Sequence, residues 1–222
     1  MIDLQREGEV DVLRFEDGEN RFNDRFLGAL ETALDRVEGG DAAALVTVGT
    51  GKFYSTGLDL PWLMGDGSDQ AGEFLARVQQ LLARVLVFPI PTVAAINGHA
   101  FAAGAMLSLA HDSRLMRTDR GFFCLPEIDL ATGQPLTPGM TALIGARLPR
   151  QSFHEALVTG RRYGGEDAAS RGMVESHHDG DDLLAAALER ARLLGRHDRD
   201  SVVSVKRSMW RNVEQALLAP PA

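Results

Sequence analysis

Glu127 lies in the segment Pro126-Glu127-Ile128-Asp129, in the apolar company of Phe122, Phe123, Leu125 and Leu130. Burial disfavours the charged form of a carboxylate and carries its pKa toward neutrality, the range a proton shuttle needs. The alternative for a lone Glu after Pro is a partly exposed turn residue. Two further segments could supply fixed dipoles. Phe53-Tyr54-Ser55-Thr56-Gly57-Leu58-Asp59-Leu60 follows an apolar run at Ala43–Val48. Asn97-Gly98-His99-Ala100-Phe101-Ala102-Ala103-Gly104-Ala105-Met106 follows another at Thr92–Ile96. Small residues at a strand-to-helix turn permit close backbone approach, and the first N–H groups of a helix are unpaired. Two such turns could aim two N–H groups at one carbonyl oxygen, an oxyanion hole, or their glycines could serve only to make the turns tight.

Other chemistries find little support. Val48-Gly49-Thr50-Gly51-Lys52-Phe53 fails as a phosphate loop, because the first glycine of that motif falls at Val46 and its Ser/Thr at Phe53. No GxSxG elbow is present, which argues against a Ser hydrolase triad. Cys124 is the one cysteine, so neither an internal disulfide nor a Cys-based zinc site can form, and it reads as a small core residue. The six His residues are scattered, with His177-His178 in an acidic, loop-like stretch, and no metal site is expected.

These groups must be positioned by a chain of 222 residues with 23 Lys+Arg against 31 Asp+Glu and a formal net charge of −8. That length suits one domain with its own core. The acidic balance argues against nucleic acid as a partner. Met1–Gln5 is too polar for a signal peptide, and no apolar run is long enough to span a bilayer, so no membrane role and a cytoplasmic location are expected. Val10–Phe15, Ala43–Val48 and Thr92–Ile96 read as strands. A helix is expected from Asp24 to Val37, with Asp24 as N-cap, and another where Phe74, Val78, Leu81, Leu82 and Val85 share one face. Gly65–Gly72 reads as a loop, Ala103–Ala110 as a buried helix, and Arg114–Met116 and Gly121–Leu125 as extended. Helices are expected over Pro138–Leu148, Leu183–Leu194 and Arg199–Leu218. The alternation gives an α/β architecture with extra helices after about residue 150.

Together these residues resemble the crotonase superfamily of enoyl-CoA hydratases and isomerases. Pro91–Arg117 follows its signature, Phe53–Asp59 is similar to its F-x-x-G-x-D segment, and Pro126-Glu127 to its P-E segment, over residues 8–175. The resemblance implies a spiral of ββα turns, two stacked sheets flanked by helices. It divides the chain into a core over 1–175 and a C-terminal helical region over 176–222 used in trimerisation. It implies an acyl-CoA ligand, with coenzyme A as part of the substrate and no separate cofactor, and a homotrimer or hexamer. Carried over, the oxyanion-hole N–H groups are those of Leu58 and Ala103, although Ala102-Ala103-Gly104 replaces the usual three glycines.

Hydratases of this family carry two Glu residues. The second matches Glu127, but the first falls at Met106, a thioether unable to transfer protons. One base and an oxyanion hole suit Δ3 to Δ2 enoyl-CoA isomerisation in fatty acid metabolism. The nearest likeness is to plant-type monofunctional isomerases, through His99, His111-Asp112, Arg117-x-Asp119-Arg120-Gly121 and Glu127-Ile128-Asp129. The stretch Leu130–Met140 is two residues longer than in those enzymes. The alternatives are hydration, thioester hydrolysis or decarboxylation of an acyl-CoA, or a silent acyl-CoA-binding protein. His99, Met106 and Asp129 are candidates for the substrate pocket. Arg21, Arg25 and Lys52 are candidates for CoA phosphates, as are Lys206 and Arg207 for a neighbouring subunit's CoA. Asp59 and Asp112 are expected to cap or brace turns. The end of the chain, Ala219–Ala222, lacks a peroxisomal tripeptide.

Overall fold

A computed structural model of the chain describes residues 1–130 and 136–220. It begins with β1 (Ile2–Glu7), β2 (Val10–Phe15), α1 (Asp24–Glu38), β3 (Ala44–Gly49), β4 (Phe53–Ser55), α2 (Leu60–Met64) and α3 (Ala71–Leu86). Next come β5 (Thr92–Ile96), β6 (His99–Phe101), α4 (Ala103–Ala110), β7 (Ser113–Arg117), β8 (Phe123–Cys124), α5 (Pro138–Arg147) and α6 (Arg150–Thr159). The chain closes with β9 (Arg162–Tyr163), α7 (Gly165–Ser170), β10 (Ser176–His178), α8 (Leu183–Leu194) and α9 (Arg199–Leu218).

The strands form two sheets, one ordered β1-β2-β3-β5-β7-β10 and one ordered β4-β6-β8-β9. Each of β3, β5 and β7 belongs to the large sheet and is followed by a short strand, β4, β6 or β8, of the small one. A helix then returns the chain, so the ββα turn repeats as a spiral, as the resemblance implies. The strands β2, β3, β5 and β7 are parallel to one another. They are covered on both faces, which is why they read as nearly continuous apolar runs. Leu13, Phe15, Leu45, Ala94 and Ile96 face the main core with α1, α3 and α4. The alternate residues Val10, Val12, Val46, Val93 and Ala95 pack on Leu183, Ala187 and Ala191 of α8.

Several elements depart from the expectations. The N-cap of α1 is Asn23, whose side chain accepts from Phe26 N, and Asp24 is the first helical residue. The stretch read as a loop at Gly65–Gly72 holds a turn of 3₁₀ helix at Ser68–Gln70 and the start of α3. β10 pairs with β7 past the boundary read at residue 175, so the large sheet draws on the C-terminal part. The longer stretch read at Leu130–Met140 falls partly on residues 131–135, outside the described residues, as does the end of the chain at 221–222. Lys206 is not available to a neighbour. It is buried, its Nζ is 2.6 Å from Asp112 Oδ2, and it donates to Phe88 O and Ile90 O at 3.0 Å, fastening α9 to its own chain. Asp112 also accepts from Thr92 N at 2.7 Å and braces its turn as expected.

Candidate active site

The small sheet ends where the chemistry-bearing turns begin. After β4, Gly57 has φ +85, a left-handed conformation, and a Cβ there would lie 2.9 Å from both Ala103 N and Phe101 O. Glycine is therefore required twice over, by backbone conformation and by space. Gly104 has the same role from the other side, since a Cβ on it would lie 2.3 Å from Ser55 O. The two glycines let the start of α4 rest directly on the Ser55–Leu58 turn. Gly57 O accepts from Phe22 N and Asp59 N donates to Phe22 O, a bridge that leaves Leu58 N–H outside it. Ala103 N–H is the first of α4 and has no residue one turn back to receive it. Among the described residues neither N–H has an acceptor, and the two lie on adjoining backbones.

Ala102, between β6 and α4, has φ 49 and ψ −125, a conformation that ordinarily belongs to glycine. Its N–H donates to Cys124 O at 3.1 Å, tying the turn to β8. The strained alanine sits where α4 presents its N-terminal, electropositive end.

Glu127 opens a 3₁₀ turn, Glu127–Asp129, just after β8. Among the described residues, both of its carboxylate oxygens are buried without a hydrogen-bond partner. Burial accordingly pushes its pKa up to about 7. It lines a cavity of about 710 Å³ together with Leu58, Ala102, Ala103 and Met106. Much of the remaining wall is apolar, including Leu63, Phe74, Leu75 and Met140. Glu127 is the one titratable side chain among the described residues of this wall. Residues 131–135, Ala-Thr-Gly-Gln-Pro, contain no acid or base either. The arrangement can take and return a proton at a carbon held beside Glu127, with two N–H groups near a developing oxyanion.

The other candidate residues divide. Met106 lines the cavity, one turn into α4. His99 does not line it; its ring sits among Phe53, Phe101 and Phe122 at 5.0–5.6 Å, and of these four residues Phe101 is the one that lines the cavity. Burial, then Arg162 and Lys52, lower its pKa. Asp129 is exposed and lies against Gly160, away from the cavity. Arg21 is paired with Glu19 at 2.7 Å, Arg25 with Asp17 at 2.5 Å, and Lys52 is exposed; none of the three lines the cavity. Cys124 is buried, with Sγ 3.2 Å from Gly160 O, a packing position. Asp59 caps α2, as expected of it, by accepting from Trp62 N. Among the described residues no group of three or more His, Cys, Asp or Glu is placed to hold a metal, and no helix is long and apolar enough to cross a membrane.

Sequence reasoning missed Thr56, Leu63, Thr137 and Met140 as cavity residues. Asp59 followed by Pro61 was a signal for the short helix that carries Leu63, since Asp caps and Pro is tolerated in a first turn.

The enoyl-CoA hydratase/isomerase family model matches residues 5–220. The enoyl-CoA delta isomerase 2, peroxisomal, of Arabidopsis thaliana is 32% identical over 185 residues, covering 79% of this chain and 76% of that protein. A probable enoyl-CoA hydratase of Mycobacterium bovis is 35% identical over 152 residues, 68% of this chain and 57% of that one. Among solved structures, a probable enoyl-CoA hydratase of Mycobacterium tuberculosis H37Rv superposes with a TM-score of 0.91 at 25% identity, covering 99% of this chain and 92% of that one.

Proposed function

This chain belongs to the enoyl-CoA hydratase/isomerase family, and within it we propose that it moves the double bond of fatty enoyl-CoA thioesters from Δ3 to Δ2. The reading is carried by one observation: among the described residues, Glu127 is the solitary carboxylate of a largely apolar cavity and stands beside two unpaired N–H groups. Hydration needs a water that is both held and activated, and Met106 offers it neither acid nor base. Isomerisation needs one group that is a base first and an acid second. A carboxyl with a pKa of about 7 performs both near neutral pH.

Glu127 takes a proton from C2, and the electron pair moves into the C1–C2 bond, placing negative charge on the thioester oxygen. Leu58 N–H and Ala103 N–H stabilise that oxyanion; a single such donor is typically worth about 10²- to 10³-fold in rate. Glu127 then returns the proton to C4, where the C3–C4 π pair becomes the new C–H bond, the C1–C2 pair shifts to form the C2–C3 double bond, and the oxyanion restores the thioester carbonyl. Coenzyme A enters only as part of the substrate. Contacts of its phosphates with Arg21, Arg25 or Lys52, and assembly as a homotrimer or hexamer, belong to the same proposal.

Wild type and Glu127→Gln incubated with a trans-3-enoyl-CoA, with products identified by mass and NMR, test it. The expected result is the trans-2 isomer with no mass gain, lost in the variant. A gain of one water, release of free CoA, or no turnover would overturn the assignment.

A further inference from the structure

The two N–H donors sit on different elements, Leu58 past β4 and Ala103 at the start of α4, so their spacing depends on how β4 is held against α4. A buried chain of side chains joins these elements outside the cavity. His111, just past α4, has Nδ1 2.8 Å from Leu107 O and Nε2 2.9 Å from Thr47 Oγ1 on β3. Thr47 Oγ1 is in turn 2.8 Å from Tyr54 Oη on β4. All three side chains are buried.

The proton positions follow from the chemistry. A carbonyl only accepts, so Nδ1 carries the imidazole proton. Burial, with Lys206, Arg114 and Arg147 nearby, brings the His111 pKa down to about 3, so the ring is neutral and Nε2 must accept. Thr47 therefore donates to His111, and Tyr54 donates to Thr47. Every proton points the same way, from β4 through β3 to the last turn of α4, an arrangement in which successive bonds polarise one another. Arg147 closes the far end of α4 by donating to the carbonyls of Leu109, His111 and Asp112. The near end rests on Ser55 through Gly104. The path from Leu58 back to Tyr54, through Thr47 and His111, and along α4 to Ala103 is thus a closed ring.

We propose that Tyr54, Thr47 and His111 are positioning residues that set the spacing of the Leu58 and Ala103 donors. The inference rests on the isomerase reading of those two N–H groups. Neither Tyr54, Thr47 nor His111 lines the cavity, so all three act through the backbone they hold.

The test follows the thioester carbonyl stretch of a bound trans-2-enoyl-CoA, labelled with ¹³C at C1, by difference infrared spectroscopy alongside kcat and KM. Tyr54→Phe and Thr47→Val each delete one link, Thr47→Ser retains it, and far-UV circular dichroism confirms the fold of each. In wild type the band lies below its position in free thioester. In Tyr54→Phe and Thr47→Val it moves back toward that position, and kcat falls roughly tenfold to a hundredfold with KM little changed, as expected when a donor is displaced by a fraction of an ångström. Thr47→Ser retains both properties. An unchanged band and kcat in folded Tyr54→Phe or Thr47→Val overturns the inference. A wild type that isomerises nothing and shows no band shift overturns the isomerase reading instead.

Discussion

Replacing Glu127 by Gln is expected to stabilise the protein while abolishing turnover. The unfolded side chain loses its proton near 4.5, and the folded one retains it to about 7, because the carboxyl is buried and, among the described residues, neither oxygen has a partner. Between those values the folded state binds the extra proton, so stability falls as pH rises through this window and is level on either side. The displacement corresponds to a penalty on the order of 3 kcal/mol, fully present above pH about 7 and absent below about 4.5. Gln resembles the protonated carboxyl in shape and never bears the charge. The variant should then melt above wild type at pH 8 by roughly 6–12 °C, at about 2–4 °C per kcal/mol for a chain of this size, and level with it at pH 4.5. Thermal melts of both proteins at both pH values and one protomer concentration measure the difference. A variant less stable than wild type at pH 8, or an advantage that does not change with pH, would show that the buried charge does not destabilise the folded state.

The same burial sets the activity profile. As a base Glu127 must be ionised, so kcat/KM in steady-state assays should rise with pH through about 7 and then level; a profile already flat from pH 5 contradicts this. Ala102→Gly removes an unfavourable positive φ, and the melting point should rise by an amount equivalent to about 1 kcal/mol, the strain less the chain entropy of a glycine. Gly104→Ala drives a methyl into Ser55 O and should cost about 3 kcal/mol or more in denaturant unfolding, with activity falling as α4 lifts from the turn. Met106→Glu places a second carboxylate in the cavity, and mass analysis of trans-2-enoyl-CoA incubations should show hydrated product where wild type shows none.

Long, periodic elements were legible because each carries its own pattern. β5, α4 and α8 fall where their residues alone place them, as do the core stripes of α1 and α3. β8 falls inside the extended stretch read at Gly121–Leu125, but the other short strands were not legible: β4, β6 and β9 have two or three residues each, too few for any period to show. β1, Ile2-Asp3-Leu4-Gln5-Arg6-Glu7, is a partly exposed edge strand whose polar residues hide it. In the site, Glu127 was legible from its apolar neighbours, and the two turns from their small residues. Asp129 was misplaced because a 3₁₀ turn advances about 120° per residue, so a side chain two positions on faces a different direction. His99 was taken for a pocket residue, but Phe101, on the same face of β6, stands nearer the cavity. The wall contributed by Leu63, Thr137 and Met140 could not be read locally, since tertiary packing alone brings α2 and α5 to Glu127.

If one buried carboxylate carries the proton from C2 to C4, an isotope placed at C2 should travel with it. The most direct measurement uses trans-3-enoyl-CoA deuterated at C2, turned over in ordinary water, with the product analysed by NMR. The expected product is trans-2-enoyl-CoA with a substantial share of the deuterium at C4, because among the described residues the Glu127 oxygens have no hydrogen-bond partner to exchange with. Product with all its transferred deuterium lost to water, or formed equally well by Glu127→Gln, would contradict it.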